Sequence, residues 1–231
     1  MVGIGQKGDF DMYEIVYESD FREYRAECSA ILKETCRLLK EKGISAQYTL
    51  VGSGARNLVT RNGNGPYDLD YNLVIVKAES EYWDNLCHLK DTVRVTLDEA
   101  AKSSRFRESQ DSTSVLTALL LSADKPNVEF SFDVAILRRD RNGKYMRLIR
   151  NKNAIVSICG GADLYTWNEV PSSHNVREKA DKIKKAGKWQ DVRDRYVDLK
   201  NLYLTSWERN KPSFIVYVET VNEIYDKIFR R

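Results

Sequence analysis

Only four cysteines (Cys28, Cys36, Cys87, Cys159) and two histidines (His88, His174) occur among the 231 residues, and no C-x-x-C pair is present. That scarcity argues against a disulfide framework and a Cys-rich zinc site, and it makes a reducing cytoplasm the expected compartment. Cys87 and His88 are adjacent, but neighbouring residues on a helix point in different directions and make no chelate. Chemistry must then lean on carboxylates, hydroxyls or lysines. Long apolar runs are missing as well. The longest, LVIV, LTALLL and FIVYV, fall far short of the roughly 20 residues that a membrane-crossing helix needs. The first ten residues, MVGIGQKGDF, contain no apolar signal-peptide core, so secretion is not expected. Repeats, low-complexity tracts and Pro/Gly-rich linkers are also lacking.

What is present is a globular composition. The chain is 42% hydrophobic, 10% aromatic and 31% charged, with a mean hydropathy of −0.53. It has too many rings for a disordered chain and enough length to bury a core. The net charge of +3 is unevenly spread. Seven Lys/Arg lie between Arg138 and Lys152 against one acid, Asp140, and nine basic residues face five acidic ones from Val176 to Lys200. A basic second half suits a polyanionic ligand, although each run taken alone reads equally well as a solvated face.

Phe21, Tyr24, Cys28, Ile31, Leu32, Thr35, Leu38 and Leu39 recur at helical spacing from about Ser19 or Asp20 to Lys42, with Gly43 as the stop. Gln47–Val51 reads as a strand running into Gly52-Ser53-Gly54. Residues 61–66 (RNGNGP) are dense in turn formers and predict a loop. Asp68–Lys77 (DLDYNLVIVK) predicts a strand whose far end is apolar enough for burial on both faces. A second helix is expected over about Ser80–Lys102. Strands are expected over Thr113–Ser122 and Val128–Leu137, joined by the turn ADKPN, with a basic hairpin turning at Asn142-Gly143 and continuing over Lys144–Lys152. Past Pro171 the pattern is helical. Ser172 or Ser173 caps one helix, Gly187 breaks it, Val192 to Tyr203 mark the next, and Pro212-Ser213 opens the last, with Ile215, Val218, Val221, Tyr225 and Ile228 inward. The expected fold is α/β (α+β): residues 1–165 form a mixed sheet flanked by helices, and 166–231 form a helical subdomain.

Three acids carry the chemical signal. Asp68 and Asp70 are two apart, so on a strand both project from one face. Downstream, VEFSFDVAI alternates again, with Phe130, Phe132, Val134 and Ile136 on one face and Glu129, Ser131 and Asp133 on the other. Half-buried carboxylates on adjacent strands repel one another unless a cation joins them, and hard divalent ions take oxygen ligands. Upstream, Val51-Gly52-Ser53-Gly54-Ala55-Arg56 forms a candidate phosphate cradle. Its glycines allow close backbone approach, the Ser hydroxyl and N–H groups can hold phosphate oxygens, and Arg56 adds charge.

This arrangement resembles the nucleotidyltransferase superfamily that includes DNA polymerase β. Its pattern is hydrophobic-Gly-[Gly/Ser], a loop, Asp-hydrophobic-[Asp/Glu]-hydrophobic, then a third carboxylate on a later strand. The matching residues are Val51-Gly52-Ser53, Asp68-Leu69-Asp70-Tyr71 and Phe132-Asp133-Val134, and the likeness covers roughly residues 45–137. The gap between Ser53 and Asp68 lies at the long end of the family's spacing, and the excess maps onto Asn62–Pro66.

The resemblance implies that Asp68, Asp70 and Asp133 hold two Mg²⁺ (or Mn²⁺) ions and that Gly52 and Ser53 bind the β/γ-phosphates of a nucleoside triphosphate. An acceptor hydroxyl then attacks the α-phosphorus and pyrophosphate leaves. In many family members a lysine of the helical part also reaches the triphosphate. Lys179, Lys182, Lys184, Lys185 and Lys200 are the candidates, Lys182 and Lys185 foremost. Tyr165 and Trp167 stand where they could stack on a base or fill the core. The acceptor is left open. The basic run after Asp133 favours RNA over a cationic aminoglycoside. Alternatives are small-molecule or protein nucleotidylation, an inactive nucleotide-binding or antitoxin-type member, and an unrelated α/β protein whose acids form salt bridges.

Overall fold

In a computed structural model the described residues are 12–121, 128–151, 164–206 and 211–230. The ADKPN turn, Cys159 and Lys152 lie outside them. The elements are β1 (Tyr13–Ile15), α1 (Glu18–Glu41), β2 (Ser45–Val51), α2 (Gly52–Arg56), β3 (Thr60–Asn62) and β4 (Tyr67–Lys77). Then come α3 (Ser80–Asp84), α4 (Leu86–Ala101), β5 (Gln110–Asp111), β6 (Leu116–Leu121), β7 (Val128–Arg139), β8 (Tyr145–Arg150) and β9 (Tyr165–Glu169). Helices α5 (His174–Lys185), α6 (Trp189–Thr205) and α7 (Ser213–Phe229) follow. Among the described residues no helix is long and apolar enough to cross a membrane.

The chain forms two compact units. One comprises 17–59 and 66–172 and holds a seven-stranded mixed sheet in the order β2-β4-β7-β6-β5, with β8 pairing the far end of β7 and β9 pairing β8. β4 and β7 run parallel and form the centre, while β2 and β6 flank them antiparallel. Period-two alternation sorts their side chains. Leu69, Tyr71, Leu73 and Ile75 of β4 and Phe130, Phe132, Val134 and Ile136 of β7 are buried on one face. α1 lies on this face, where Tyr24 stacks on Phe130 with ring centroids 4.7 Å apart, and α4 packs against α1. Phe106 meets Phe132 edge-on at 5.0 Å.

The second unit comprises residues up to 16, 60–65 and 173–231. The β1–β3 ribbon pairs Tyr13 with Asn62 and Ile15 with Thr60, and α6 packs on β1 and α7. Asn201 of α6 ties down β1, accepting from the Tyr13 N–H (2.6 Å) and donating to its carbonyl (3.0 Å).

Several expectations are corrected. The helix expected over 80–102 breaks at Asn85, whose side chain accepts from the His88 N–H (3.0 Å) and so caps α4. The far end of β4 is not buried on both faces, because only the Leu73 and Ile75 side meets the helical layer and Val76 remains 58% exposed. The 61–66 loop begins as a strand paired with β1, since Thr60–Asn62 finds a partner far away in sequence. The strand expected from Thr113 starts at Leu116. Helix α7 buries Val216, Tyr217, Thr220, Val221 and Ile224, while Ile215 is 42% exposed. Its first turns are apolar all round, so periodicity alone did not fix the inward face. Gly187, at φ +68, does end α5.

Candidate active site

The site grows from the edge strand β2. Val51 is its last extended residue and pairs with Asp70. Gly52 then turns the chain at φ +63, α2 makes a single helical turn, and Asn57 closes it at φ 55. The Leu58 N–H returns to the Ser53 carbonyl at 3.0 Å, fixing the turn beside the strand end. A side chain at Gly52 would overlap Asp70 Oδ2. The glycine is therefore required both for its backbone angle and for the approach of backbone to carboxylate. Gly54 is equally hemmed in, since a Cβ there would stand 2.7 Å from Leu69 Cδ2.

Asp70 and Asp133 are direct neighbours in the parallel β4–β7 register, with Asp68 opposite Ser131 on the same face. One carboxylate oxygen from each of Asp68, Asp70 and Asp133 lies within 4.8 Å of the others. Asp68 is exposed, and the other two are half-buried. Thr117 of β6, paired with Asp133 across the sheet, donates its hydroxyl to Asp133 Oδ1 at 2.6 Å. Burial, then the neighbouring charges of Asp68 and Asp133, push the Asp70 carboxyl up to about 6, with Arg56 and Arg147 pulling the other way. Burial also raises Asp133, against the Thr117 hydrogen bond.

The ionised form of Asp70 is thus disfavoured by its burial and by its two acidic neighbours. Hard oxygen ligands at this separation, in a half-buried setting, are what a divalent cation requires. The donor set fits Mg²⁺ or Mn²⁺ and contains no sulfur or imidazole that would favour zinc.

The structure brings together Gly52, Asp68, Asp70 and Asp133, and places Ser53 and Arg56 in the turn leading from the site. Lys182 and Lys185 are exposed on α5, in the other unit. There Lys182 Nζ lies 5.8 Å from the Tyr225 ring centroid. Lys179 donates to Asn222 (2.5 Å), Lys184 lies over Trp189, and Lys200 donates to Thr60 (2.9 Å). Tyr165 is buried and donates its hydroxyl to Asp111 (2.7 Å), whereas Trp167 stacks on Arg138. The members of the basic run have different surroundings. Lys144 pairs with Glu169 at 2.9 Å, Arg138 lies against the rings of Trp83 and Trp167, and Arg147 is the member whose charge acts on Asp70. Thr117 and Arg147 are the site residues that sequence reasoning missed. For Thr117 the alternating pattern of β6 opposite β7 was the available signal, and for Arg147 only its place in a basic run.

A parallel β4–β7 pair, a flanking β2 that ends in a Gly-Ser turn, and three carboxylates on one face define the nucleotidyltransferase fold, and this chain has it. Solved structures share it at low sequence identity. The GTP-bound form of Vibrio cholerae DncV superposes with a TM-score of 0.51 at 16% identity, over 91% of this chain and 52% of that one. Its 3'-deoxy ATP-bound form gives 0.51 and 16%, over 80% and 46%. CdnC of E. coli MS115-1 with ATP gives 0.50 and 15%, over 89% and 59%. Another structure of the V. cholerae protein describes it as a cyclic AMP-GMP synthase. The chain spans about half the length of the DncV structures. No protein-family model matches it, and neither does any curated protein sequence.

Proposed function

We propose that this chain is a metal-dependent nucleotidyltransferase that moves a nucleoside monophosphate from a nucleoside triphosphate to an acceptor hydroxyl. The observation that carries the reading is the cluster of Asp68, Asp70 and Asp133, whose carboxylate oxygens lie within 4.8 Å of one another beside the Gly52 turn. These carboxylates would hold two divalent cations, which supply charge neutralisation at a transferring phosphoryl group. The Gly52–Ser53 backbone and the Ser53 hydroxyl would hold the β/γ-phosphates, with Arg56 adding charge at the same turn. Thr117 holds one oxygen of Asp133, leaving the other to take the proton of the acceptor hydroxyl. The acceptor oxygen bonds to the α-phosphorus, the α–β bridging bond breaks, and pyrophosphate departs. Lys182 and Lys185 are proposed as further triphosphate ligands.

For the acceptor we favour the hydroxyl of a second nucleotide over RNA. Within the basic run after Asp133, the charge of Lys144 is taken up by Glu169 and that of Arg147 bears on Asp70, which weakens the case for an RNA strand along it. The likeness to the GTP-bound and 3'-deoxy ATP-bound forms of DncV supports the same choice. The test is incubation with α-labelled ATP and GTP plus Mg²⁺ or Mn²⁺, alone and with total RNA or an aminoglycoside panel. Label should pass into a nucleotide product with release of pyrophosphate, and Asp68→Ala and Asp133→Asn should abolish it. Label only on RNA or on an aminoglycoside would refute the nucleotide acceptor, and absence of metal-dependent transfer from either NTP would refute the activity.

A further inference from the structure

A cavity of about 370 Å³ opens where β2, β4 and the β7–β8 hairpin meet, lined by Gln47, Thr49, Trp83, Arg138, Arg139 and Tyr145 among others. It reaches Val74, four residues beyond Asp70 on β4, or roughly 13 Å along a strand that rises about 3.3 Å per residue.

Two arginines line this cavity. Some arginines of this unit are held by carboxylates, as Arg37 is by Glu34 (2.7 Å) and Arg105 by Glu27 (2.7 Å). Arg138 and Arg139 have no carboxylate within ion-pair distance among the described residues. Aromatic rings hold them instead. The Arg138 guanidinium carbon lies 4.9 Å from the Trp167 ring centroid and 5.7 Å from that of Trp83, and its Nε is buried without a hydrogen-bond acceptor. The Arg139 guanidinium lies 4.4 Å from the Tyr145 ring centroid and donates to the Tyr145 hydroxyl at 2.7 Å. An arginine fixed by stacking keeps its positive charge available and has little rotamer freedom left to lose on binding an anion. Two such cations lining one cavity form a pre-organised anion site.

The remaining lining narrows the anion. Trp83 and Tyr145 offer ring surface, and Gln47 and Thr49 carry donor and acceptor groups suited to the edge of a heteroaromatic ring. From this combination we infer that the cavity is a binding site for a mononucleotide, taking its phosphate on Arg138 and Arg139 and its base against Trp83 and Tyr145. The site is separate from the carboxylate cluster and does not depend on nucleotidyl transfer there. A nucleotide produced at the carboxylates and one supplied by the surroundings share this chemistry, so the test includes both monophosphates and triphosphates.

The test is tryptophan fluorescence of the full chain in EDTA, where metal-dependent binding at the carboxylates is suppressed. AMP, GMP, ATP, adenosine and inorganic phosphate are titrated in turn. A saturable change with AMP or GMP, much weaker with adenosine or phosphate alone, is expected. Loss of one charge-assisted contact should weaken it about tenfold or more in Arg138→Gln and in Arg139→Gln, and Asp68→Ala should leave it unchanged. Should Arg138→Gln fail to fold by circular dichroism, Arg139→Gln, an exposed position, carries the test. Preference for ATP over AMP at the same site assigns the resident to supplied triphosphate, and the reverse assigns it to a monophosphate. Equal binding by the arginine variants overturns the inference. So does inorganic phosphate binding as well as AMP, or a single-stranded oligonucleotide binding far more tightly than any mononucleotide. Metal-dependent release of pyrophosphate, measured on the same arginine variants, reports on the carboxylate site independently.

Discussion

Gly52 and Asp70 stand so close that a methyl group on the first would overlap the carboxylate of the second. The turn that would cradle phosphates and the strand that carries the central acid are therefore one packed object, and each fixes the position of the other. Gly143 gives a control for backbone angle alone. It has φ +79 in the β7–β8 turn, and a Cβ there would meet nothing within 4 Å. Gly143→Ala should cost only the left-handed backbone penalty, about 1–2 kcal/mol. Gly52→Ala should cost clearly more in denaturant unfolding and should also weaken Mn²⁺ binding, because Asp70 must move. Equal losses in the two variants would show that the close approach is not constraining.

Asp70 makes the apo protein sensitive to pH in a defined direction. Its carboxyl is pushed up to about 6 from an ordinary value of 3.8, so the native state binds the proton more tightly than the unfolded chain does. This contribution is complete below about pH 4 and is lost as pH rises through about 6. In EDTA, Asp70→Asn should therefore be more stable than wild type at pH 8, by on the order of 2 kcal/mol, and the gap should close as pH falls through about 6 to about 4. Added Mg²⁺ or Mn²⁺ should raise the melting temperature of the wild type and do little for the variant. A gap that does not change with pH would remove Asp70 as its source.

Thr117 positions Asp133 through a 2.6 Å hydrogen bond across the β6–β7 pair. Removing a hydrogen-bond partner of a metal-binding carboxylate weakens metal affinity by roughly 10- to 100-fold. Thr117→Val, close to isosteric, should reduce Mn²⁺ affinity within that range while the far-UV spectrum stays native, and Thr117→Ser should restore most of it. An unchanged affinity in Thr117→Val would make the bond incidental.

The acidic face was legible because β-strand alternation is a local property. DLD and the FSFD stretch place their acids without knowledge of the rest of the chain, and parallel pairing then sets Asp70 beside Asp133. Thr117 was harder to find, since its role depends on the register between β6 and β7. Arg147 lay among six other cations, and only the fold distinguishes it from Lys144, whose charge is taken up by Glu169. Short elements were missed for a related reason. β3 exists because Thr60–Asn62 pairs with Tyr13–Ile15, some 47 positions away, and the turn-rich composition of 61–66 gives no sign of that partner. The break at Asn85 could have been read, because Asn is a strong cap, but the continuous apolar stripe on either side concealed it. On α7, apolar residues on every side of the first turns left the inward face to tertiary packing.

Lys90 is 1% exposed, yet it carries a charge into the packing between α4 and the sheet. Its Nζ pairs with Asp111 Oδ1 at 3.0 Å, and the Tyr165 hydroxyl donates to Asp111 Oδ2 at 2.7 Å, so one carboxylate ties α4 and β9 to β5. Burial and this hydrogen bond push the Tyr165 phenol up, which keeps it a donor at any ordinary pH. The two ends of the pair are not equivalent. Asp111, with a side chain 29% exposed, can still reach water if the lysine is gone, whereas Lys90 has no such outlet. Asp111→Ala should therefore leave a buried, uncompensated ammonium and cost about 3 kcal/mol or more. Lys90→Met keeps the volume, removes the charge and should cost on the order of 1 kcal/mol or less. Urea unfolding of the two variants decides the matter. A larger loss in Lys90→Met than in Asp111→Ala would mean that the lysine contributes through its charge beyond this pair, and the asymmetry argued from burial would be wrong.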